Sequence, residues 1–407
     1  MKKYLVIIMF FFSLPLFANN AEYLSISGVI RDIDSKKTIA NVNISIDGST
    51  IGTVSNDEGF FTLKVKTENN TGRIKFDHIG YANVWVPFTT NITDTVIYMA
   101  SKAILLNKAI VYTGDAYQMV KEAIGKIEQN YTNKPNLLTG FYRETLQKRK
   151  TYIGVSEAIV NIYKTPYGNK GSVNNDRVQI FKGRKLLSEK KGDTLAVKLQ
   201  GGPTLSVNLD IVKNPDIMLK IEDLPDYKFT ITGSTLINNR HHYIVAFIPV
   251  KSYLYPLYKG ALYIDADNLT ITRANLFLDM DNEKKATEYI LTKKPAGLKF
   301  KPEEVSFLIT YKENNGRSQL NYVRNDLKFK CDWKRRLFAT NYSIVSEMVV
   351  IESNDKDVKN IPYRQAFNEK NLFSDKVDNF QDPGYWEQYN IIEPTESLDK
   401  AVNKLKK

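Results

Sequence analysis

The sequence predicts a mainly β protein, an N-terminal β-sandwich followed by a larger antiparallel β-sheet domain with one packed α-helix. Three observations carry this. Short strand-like runs separated by turn clusters occupy residues 22–100, one amphipathic helical stretch opens at Asp115, and nine longer strand-like runs follow Pro135. The lone cysteine, Cys331, excludes an intramolecular disulfide and argues against a cysteine-based metal cluster, so stability must come from buried apolar area.

The chain opens with Met1-Lys2-Lys3, passes through an apolar stretch at residues 4–12 and relaxes through residues 13–18 to Ala18. A basic start, a short apolar core and a small residue are the three parts of a secretory signal peptide, and the stretch falls short of the roughly 20 residues of a membrane-spanning helix. Residues 1–18 are read as that signal, and no cysteine stands near Ala18 to take a lipid. No later apolar run approaches spanning length. The expectation is an exported protein, periplasmic or associated with the outer membrane, with no membrane span in the mature chain. The formal charge of +12 comes from 57 basic and 45 acidic side chains. Because the two signs are interspersed, the sequence reads as a solvated surface, and export argues against nucleic acid as a partner.

Within residues 22–100, Ser27-Gly28-Val29-Ile30, Val42-Asn43-Ile44-Ser45-Ile46, Phe60-Phe61-Thr62-Leu63-Lys64-Val65 and Arg73-Ile74-Lys75-Phe76 alternate in strand fashion, with Asp, Asn, Ser and Gly between them. About seven short strands in under about 100 residues make a sandwich. The motifs Gly28-Val29-Ile30-Arg31-Asp32, Ile39-Ala40-Asn41-Val42-Asn43-Ile44, Gly52-Thr53-Val54-Ser55-Asn56-Asp57-Glu58-Gly59-Phe60-Phe61 and Ile79-Gly80-Tyr81 resemble, in order and spacing, the carboxypeptidase-regulatory-like domain. That family is common in envelope proteins of Bacteroidota. The resemblance implies a transthyretin-like sandwich and no peptidase activity, since the name comes from an accessory domain of zinc carboxypeptidases. Asn56-Asp57-Glu58-Gly59 reads as a tight turn; Asp57 and Glu58 fall far short of the six to eight oxygen ligands of calcium.

Residues 101–114 read as a linker. It resembles the segment that joins such domains to the plug of outer-membrane receptors, yet too few residues follow for a barrel of about 22 strands. Residues 115–360 then form the helix-plus-sheet domain. Asp115 caps a helix that carries Ala116, Val120, Ala123, Ile124, Ile127 and Tyr131 on one face. Strands are expected at 140–148, 152–163, 227–236, 242–248, 257–265, 270–278, 303–311, 319–329 and 337–351. The hairpin at 263–274 resembles the central hairpin of bacterial lipoprotein-carrier folds, open half-barrels that hold acyl chains. In the strand at 303–311, Val305, Phe307, Ile309 and Tyr311 share one side, while Glu304, Ser306 and Thr310 share the other, with Leu308 breaking the pattern. A helix of about 24 Å covers only part of a dry face roughly 40 Å wide. The remainder receives a lipid-like ligand, is closed as the sheet curls shut, or is filled by the C-terminal segment around Tyr385 and Trp386. Residues 361–407 read as an aromatic loop and a polar helix, with Trp386 and Tyr389 pinning the C-terminus to the sheet.

No catalytic, cofactor-binding or metal-binding residue is assigned. The three histidines, His78, His241 and His242, fit no zinc pattern, and the adjacent pair in a strand points to opposite faces. Cys331 has no histidine near it in sequence, and no Gly-x-Ser-x-Gly elbow occurs. Gly201-Gly202-Pro203 lacks the lysine and the following helix of a phosphate loop and reads as a turn. Glu303-Glu304 and Asp265/Asp267 are placed in surface turns. Asp94-Thr95-Val96 and Asp193-Thr194-Leu195 resemble envelope O-glycosylation sequons. The expectation is a non-catalytic binding protein without cofactors, its partners envelope proteins, glycans or a lipid-like ligand. A carrier of acyl chains and an unrecognised hydrolase are the alternatives. An apolar pocket would favour the first of these, and a buried Asp, Glu or His cluster the second.

Overall fold

The computed structural model describes residues 23–102, 115–168, 175–190, 192–193, 195, 197–199, 201–334, 337–379 and 385–405. The segment read as a signal peptide, most of the stretch 101–114 read as a linker, Thr194 of the second sequon-like tripeptide and residues 380–384 lie outside them.

The first module contains β1 (Tyr23–Asp32), β2 (Asn43–Ile46), β3 (Gly52–Val54), β4 (Phe60–Lys66), β5 (Arg73–Asp77), β6 (Val84–Pro87) and β7 (Ile92–Met99). They form two sheets, ordered β4-β1-β7 and β3-β2-β5-β6. Strict alternation places Phe61, Leu63 and Val65 of β4 inside, where they meet Ile26, Ile30, Ile44, Ile74 and Phe76. Gly28 is required by close approach: a Cβ there would lie 2.0 Å from the Thr95 carbonyl oxygen across the β1–β7 pair. Gly59 takes φ +80° to close the turn before β4. Asn56 Oδ1 accepts from the Glu58 and Phe60 amides, so this segment is the expected turn.

Asp115 caps α1 (Ala116–Gly125) by accepting from the Gln118 amide at 2.6 Å. The helix breaks after Gly125, and α2 (Ile127–Asn130) completes the stretch read as one helix. The second module then runs through β8 (Asn136–Lys148), β9 (Thr151–Lys164), β10 (Arg177–Leu187), β11 (Lys198–Leu199), α3 (Pro203–Asn208), β12 (Tyr227–Ile237), β13 (Arg240–Pro249), β14 (Tyr258–Asp265), β15 (Ile271–Leu278), α4 (Glu283–Ile290), β16 (Leu291–Lys293), β17 (Leu298–Asn314), β18 (Arg317–Trp333), β19 (Thr340–Asn354), β20 (Asp378–Asn379) and α5 (Glu396–Leu405). β11 and β16 form a small ribbon; the rest make one eleven-stranded sheet ordered β12-β13-β14-β15-β17-β18-β19-β8-β9-β10-β20. Every strand expected from the sequence is present. β10 was not foreseen, because a bulge between Ile180 and Lys182 breaks its alternation.

Topology decides what covers the sheet. The chain leaves at β10, near one edge, and re-enters at β12, the other edge, roughly 43 Å away in a flat sheet at about 4.8 Å per strand. The segment between them, residues 188–226, contributes Val207, Leu209, Ile211, Val212, Met218, Leu219 and Leu224 to one continuous core with α1, α4 and the inner face of the sheet. The expected helix α1 packs here, and the short α3 and α4 join it on this side. Gly201-Gly202-Pro203 is corrected too, since Gly202 at φ +88° precedes α3 with Pro203 in its first turn. Val305, Phe307, Ile309 and Tyr311 do share a face, and it is packed core, with Phe307 only 7% exposed.

The opposite face holds a separate apolar cluster in which Val54 of the sandwich meets Phe141, Ile159, Tyr322, Val349, Ile351, Trp386 and Ile392. Leu308, the break in the β17 pattern, packs against it. Trp386 thus pins the C-terminal segment to the sheet, but on the sandwich side and not over the dry face.

Candidate ligand site at the seam between the modules

Local sequence builds the seam. Asn238 and Asn239 adopt φ +53° and +59° between paired Ile237 and Arg240, the two-residue hairpin turn for which asparagine is suited. Their side chains point to the sandwich: Asn238 Oδ1 accepts from Asn83 Nδ2 at 2.9 Å and from Lys75, and Asn239 Oδ1 accepts from the Asn83 amide at 3.2 Å. The Gly80 amide donates to the Leu236 carbonyl at 2.8 Å. Further along, Tyr322 donates to Asn41 at 3.2 Å and Arg324 pairs with Asp57 at 2.7 Å. The turn residue Asp57 is therefore also a docking residue, which no local pattern shows.

Between these contacts lies a cavity of about 100 Å³. The sandwich lends it Asn43, Lys75, Asp77 and His78; the sheet lends Arg240, His242, Arg273, Lys312, Glu313 and Tyr322. His242 is 1% exposed while His241 faces solvent, as strand geometry requires. His78 and His242, assigned no shared role by the sequence, meet here from different modules. Asp265, expected in a surface turn, is fully buried. Its Oδ1 accepts from the Asp267 and Asn268 amides, and its Oδ2 lies 3.0 Å from Arg240 Nε and 3.7 Å from His242 Nε2, without the alignment of a hydrogen bond. Glu303 and Glu304 lie on the β17 strand, not in a turn, and pair with Lys330 and Lys328.

The electrostatics are unbalanced. Arg240 is matched by Glu313 at 2.7 Å, and Asp77 is held by Asn43 at 2.8 Å and Lys75 at 3.8 Å. Among the described residues, Arg273 bonds the neutral Asn275 at 3.1 Å and lies over the Tyr263 ring, and Lys312 donates to the Ser49 carbonyl at 3.4 Å. Among the described residues no carboxylate is within ion-pair distance of Arg273 or Lys312. Burial pulls the Arg273 guanidinium below its ordinary value and the Lys312 amine down to about 8. Burial, reinforced by Arg273, holds His78 down to about 4, so its imidazole is neutral beside the cations near pH 7. Burial lowers His242 as well. This is a buried His and Asp cluster, but among the described residues no serine or cysteine side chain hydrogen-bonds to either ring, and no group of three or more His, Cys, Asp or Glu is arranged to hold a metal. The arrangement suits holding an anion.

Residues 26–111 match the CarboxypepD_reg-like domain family. The match takes in all four motifs and supplies the sandwich half of the seam, including Asn43, Lys75, Asp77 and His78. The family is a non-catalytic regulatory-type domain. No curated protein matches the chain. Among solved structures, the chain is similar to a DUF1329 family protein from Desulfovibrio piger at 11% identity and TM-score 0.26, covering 60% of this chain and 95% of that one. A LolA superfamily protein from Nitrosomonas europaea follows at 10% identity and TM-score 0.21, covering 63% and 100%. MucB in complex with MucA, from Pseudomonas aeruginosa, has 11% identity and TM-score 0.18, covering 60% and 100%. Scores this low have no bearing on function. No helix among the described residues is long and apolar enough to cross a membrane.

Proposed function

We propose that this is an exported, non-catalytic binding protein whose seam receives a small anionic group, a carboxylate or a phosphate, carried by an envelope ligand. The observation that supports the reading is the pair of half-buried cations, Arg273 and Lys312, placed in one cavity with no carboxylate in ion-pair reach among the described residues. A shielded charge with neutral hydrogen-bond partners and no counter-charge is costly, and an anion entering the cavity relieves that cost for both groups at once. Sites between modules are common ligand positions, and a cavity of about 100 Å³ admits a functional group rather than an acyl chain. The packed face around Phe307 favours the seam over the inner sheet face as the place of binding.

The test is thermal unfolding with acetate, phosphate or chloride at constant ionic strength. Acetate or phosphate should raise the melting temperature, with about 2.7 kcal/mol of stabilisation at a hundredfold excess over Kd, and the response of the two salts tells which anion fits. Arg273→Gln should abolish the response while leaving the protein folded. Equal responses to all three salts, or an undiminished response in Arg273→Gln, would overturn the reading.

A further inference from the structure

The sequence disperses its positive charge, but the fold gathers part of it at one end of the large sheet. The strands β17, β18, β19, β8 and β9 finish flush there: Leu298 pairs with Trp333, Cys331 with Thr340, Tyr342 with Lys148, and Lys148 with Thr151. Their connections are tied to one another, since the Lys334 amide donates to the Gly297 carbonyl and the Arg149 amide to the Asn341 carbonyl. Arg149, Lys150, Lys294, Lys299 and Lys334 are all exposed on this rim. The carboxylates beside them are Asp332, exposed and opposite Lys299 in register, Asp193, which pairs with Lys148 at 3.2 Å, and exposed Glu189. At the tip stand Leu337 and Phe338, 94% and 79% exposed, although neighbouring Phe329, Cys331 and Tyr342 are core.

Single exposed apolar residues are ordinary, but two adjacent large ones at a loop tip, ringed by cations, have the character of an interfacial anchor. We propose that this rim docks on an anionic lipid surface, with Leu337 and Phe338 entering the headgroup layer and Arg149, Lys150, Lys294 and Lys334 facing lipid phosphates. Charge complementarity selects the occupant: basic residues beside a short apolar insertion suit anionic lipid. The sandwich contacts the sheet along the far half of β19, from Thr50 at Ser353 to Asp57 at Arg324, which faces Glu347. At about 3.3 Å per residue from Thr340, these contacts lie roughly 43 Å and roughly 23 Å from the rim. Docking there leaves the sandwich and its seam facing away from the lipid. The proposal is independent of the anion site and uses none of its residues.

The experiment is sedimentation of the mature protein with vesicles of phosphatidylcholine alone or mixed equally with phosphatidylglycerol. The protein should bind the mixed vesicles, bind the neutral ones at least about tenfold more weakly, and be released by salt of about 0.5 M. Leu337→Asp/Phe338→Asp should weaken binding about tenfold with unchanged thermal unfolding, and Lys294→Glu/Lys334→Glu should do the same through charge alone. Failure to bind mixed vesicles, equal binding to neutral ones, or undiminished binding by both double variants would overturn it. So would a native dimer in solution that Leu337→Asp/Phe338→Asp dissolves, because the tip would then be a self-contact.

Discussion

His78 shows how one residue ties the seam to pH. Its imidazole is held down to about 4 by burial and then by Arg273, against an ordinary value near 6.5 in the unfolded chain. The folded state therefore binds its proton less readily than the unfolded state. Its contribution is fully present above pH 6.5 and is lost as pH falls towards 4. At pH 5 the loss amounts to about 2 kcal/mol, from roughly 1.5 pH units at 1.36 kcal/mol each. Urea unfolding at pH 7 and pH 5 should show that loss in the native protein and a smaller one in His78→Asn. Identical pH dependence of the two would mean that His78 protonates freely in the fold. The lowered His242 acts in the same direction, so the variant retains part of the dependence.

The element that sets the interior is the crossing segment between β10 and β12, and one carboxylate fastens it. Asp210 accepts from Lys164 at 2.7 Å, from Tyr167 at 2.7 Å and from Tyr311 at 2.9 Å, all buried. Burial opposes the charge on Lys164, but Asp210 and Asp176 outweigh it and the amine is raised. Burial, with Asp210 next, raises both tyrosine hydroxyls well above their ordinary value, so they remain donors at any ordinary pH. Asp210→Ala strands two hydroxyls and half of the lysine's compensation. Denaturant unfolding should register a loss of about 3–5 kcal/mol, the usual cost of breaking a buried ion pair from one side. A loss under about 1 kcal/mol would show that Asp176, 3.3 Å from Lys164, suffices alone.

At the scale of the whole molecule, the C-terminal segment binds the two modules together. Asn390 pairs with both the amide and the carbonyl of Lys64, at 2.7 and 3.0 Å, much as a neighbouring strand would pair with the exposed edge of β4. Thr53 donates to the Ile391 carbonyl at 2.9 Å and Asn56 to the Pro394 carbonyl at 3.1 Å. From the sheet, Arg143 donates to the Ile392 carbonyl at 2.8 Å while it and Arg184 clasp Glu157, and Trp386 packs edge-on against Phe141. Burial pushes the Glu157 carboxyl up, but the two guanidinium groups prevail and hold it below its usual range. Asn390→Ala removes both bonds to β4. Amide hydrogen exchange should quicken at Lys64 and its β4 neighbours and remain unchanged in β17 and β18. Uniform protection in both modules would show that the sandwich is held without this strap.

The sequence by itself determined what depends on neighbours along the chain. Period-two runs located the strands, Asp115 announced the helix start, Asn56 and Gly59 announced a turn, and the four motifs around Gly28, Val42, Gly59 and Gly80 identified the sandwich. Each signal is local, because capping, turn conformation and strand alternation are satisfied within a few residues. Tertiary structure decided the rest. The crossing segment has no regular period, being read by the sheet it covers rather than by its own secondary structure. Leu308 looked like an error of pattern until the outer face was found to carry a second core. His78 comes from the sandwich, while Arg273 and Lys312 come from the paired strands β15 and β17, and module docking through contacts such as those of Asn238 and Asn239 brings them to one cavity. A charge is scattered or concentrated, and a histidine exposed or buried, according to distances in space, which strand registers and module docking set and local sequence does not encode.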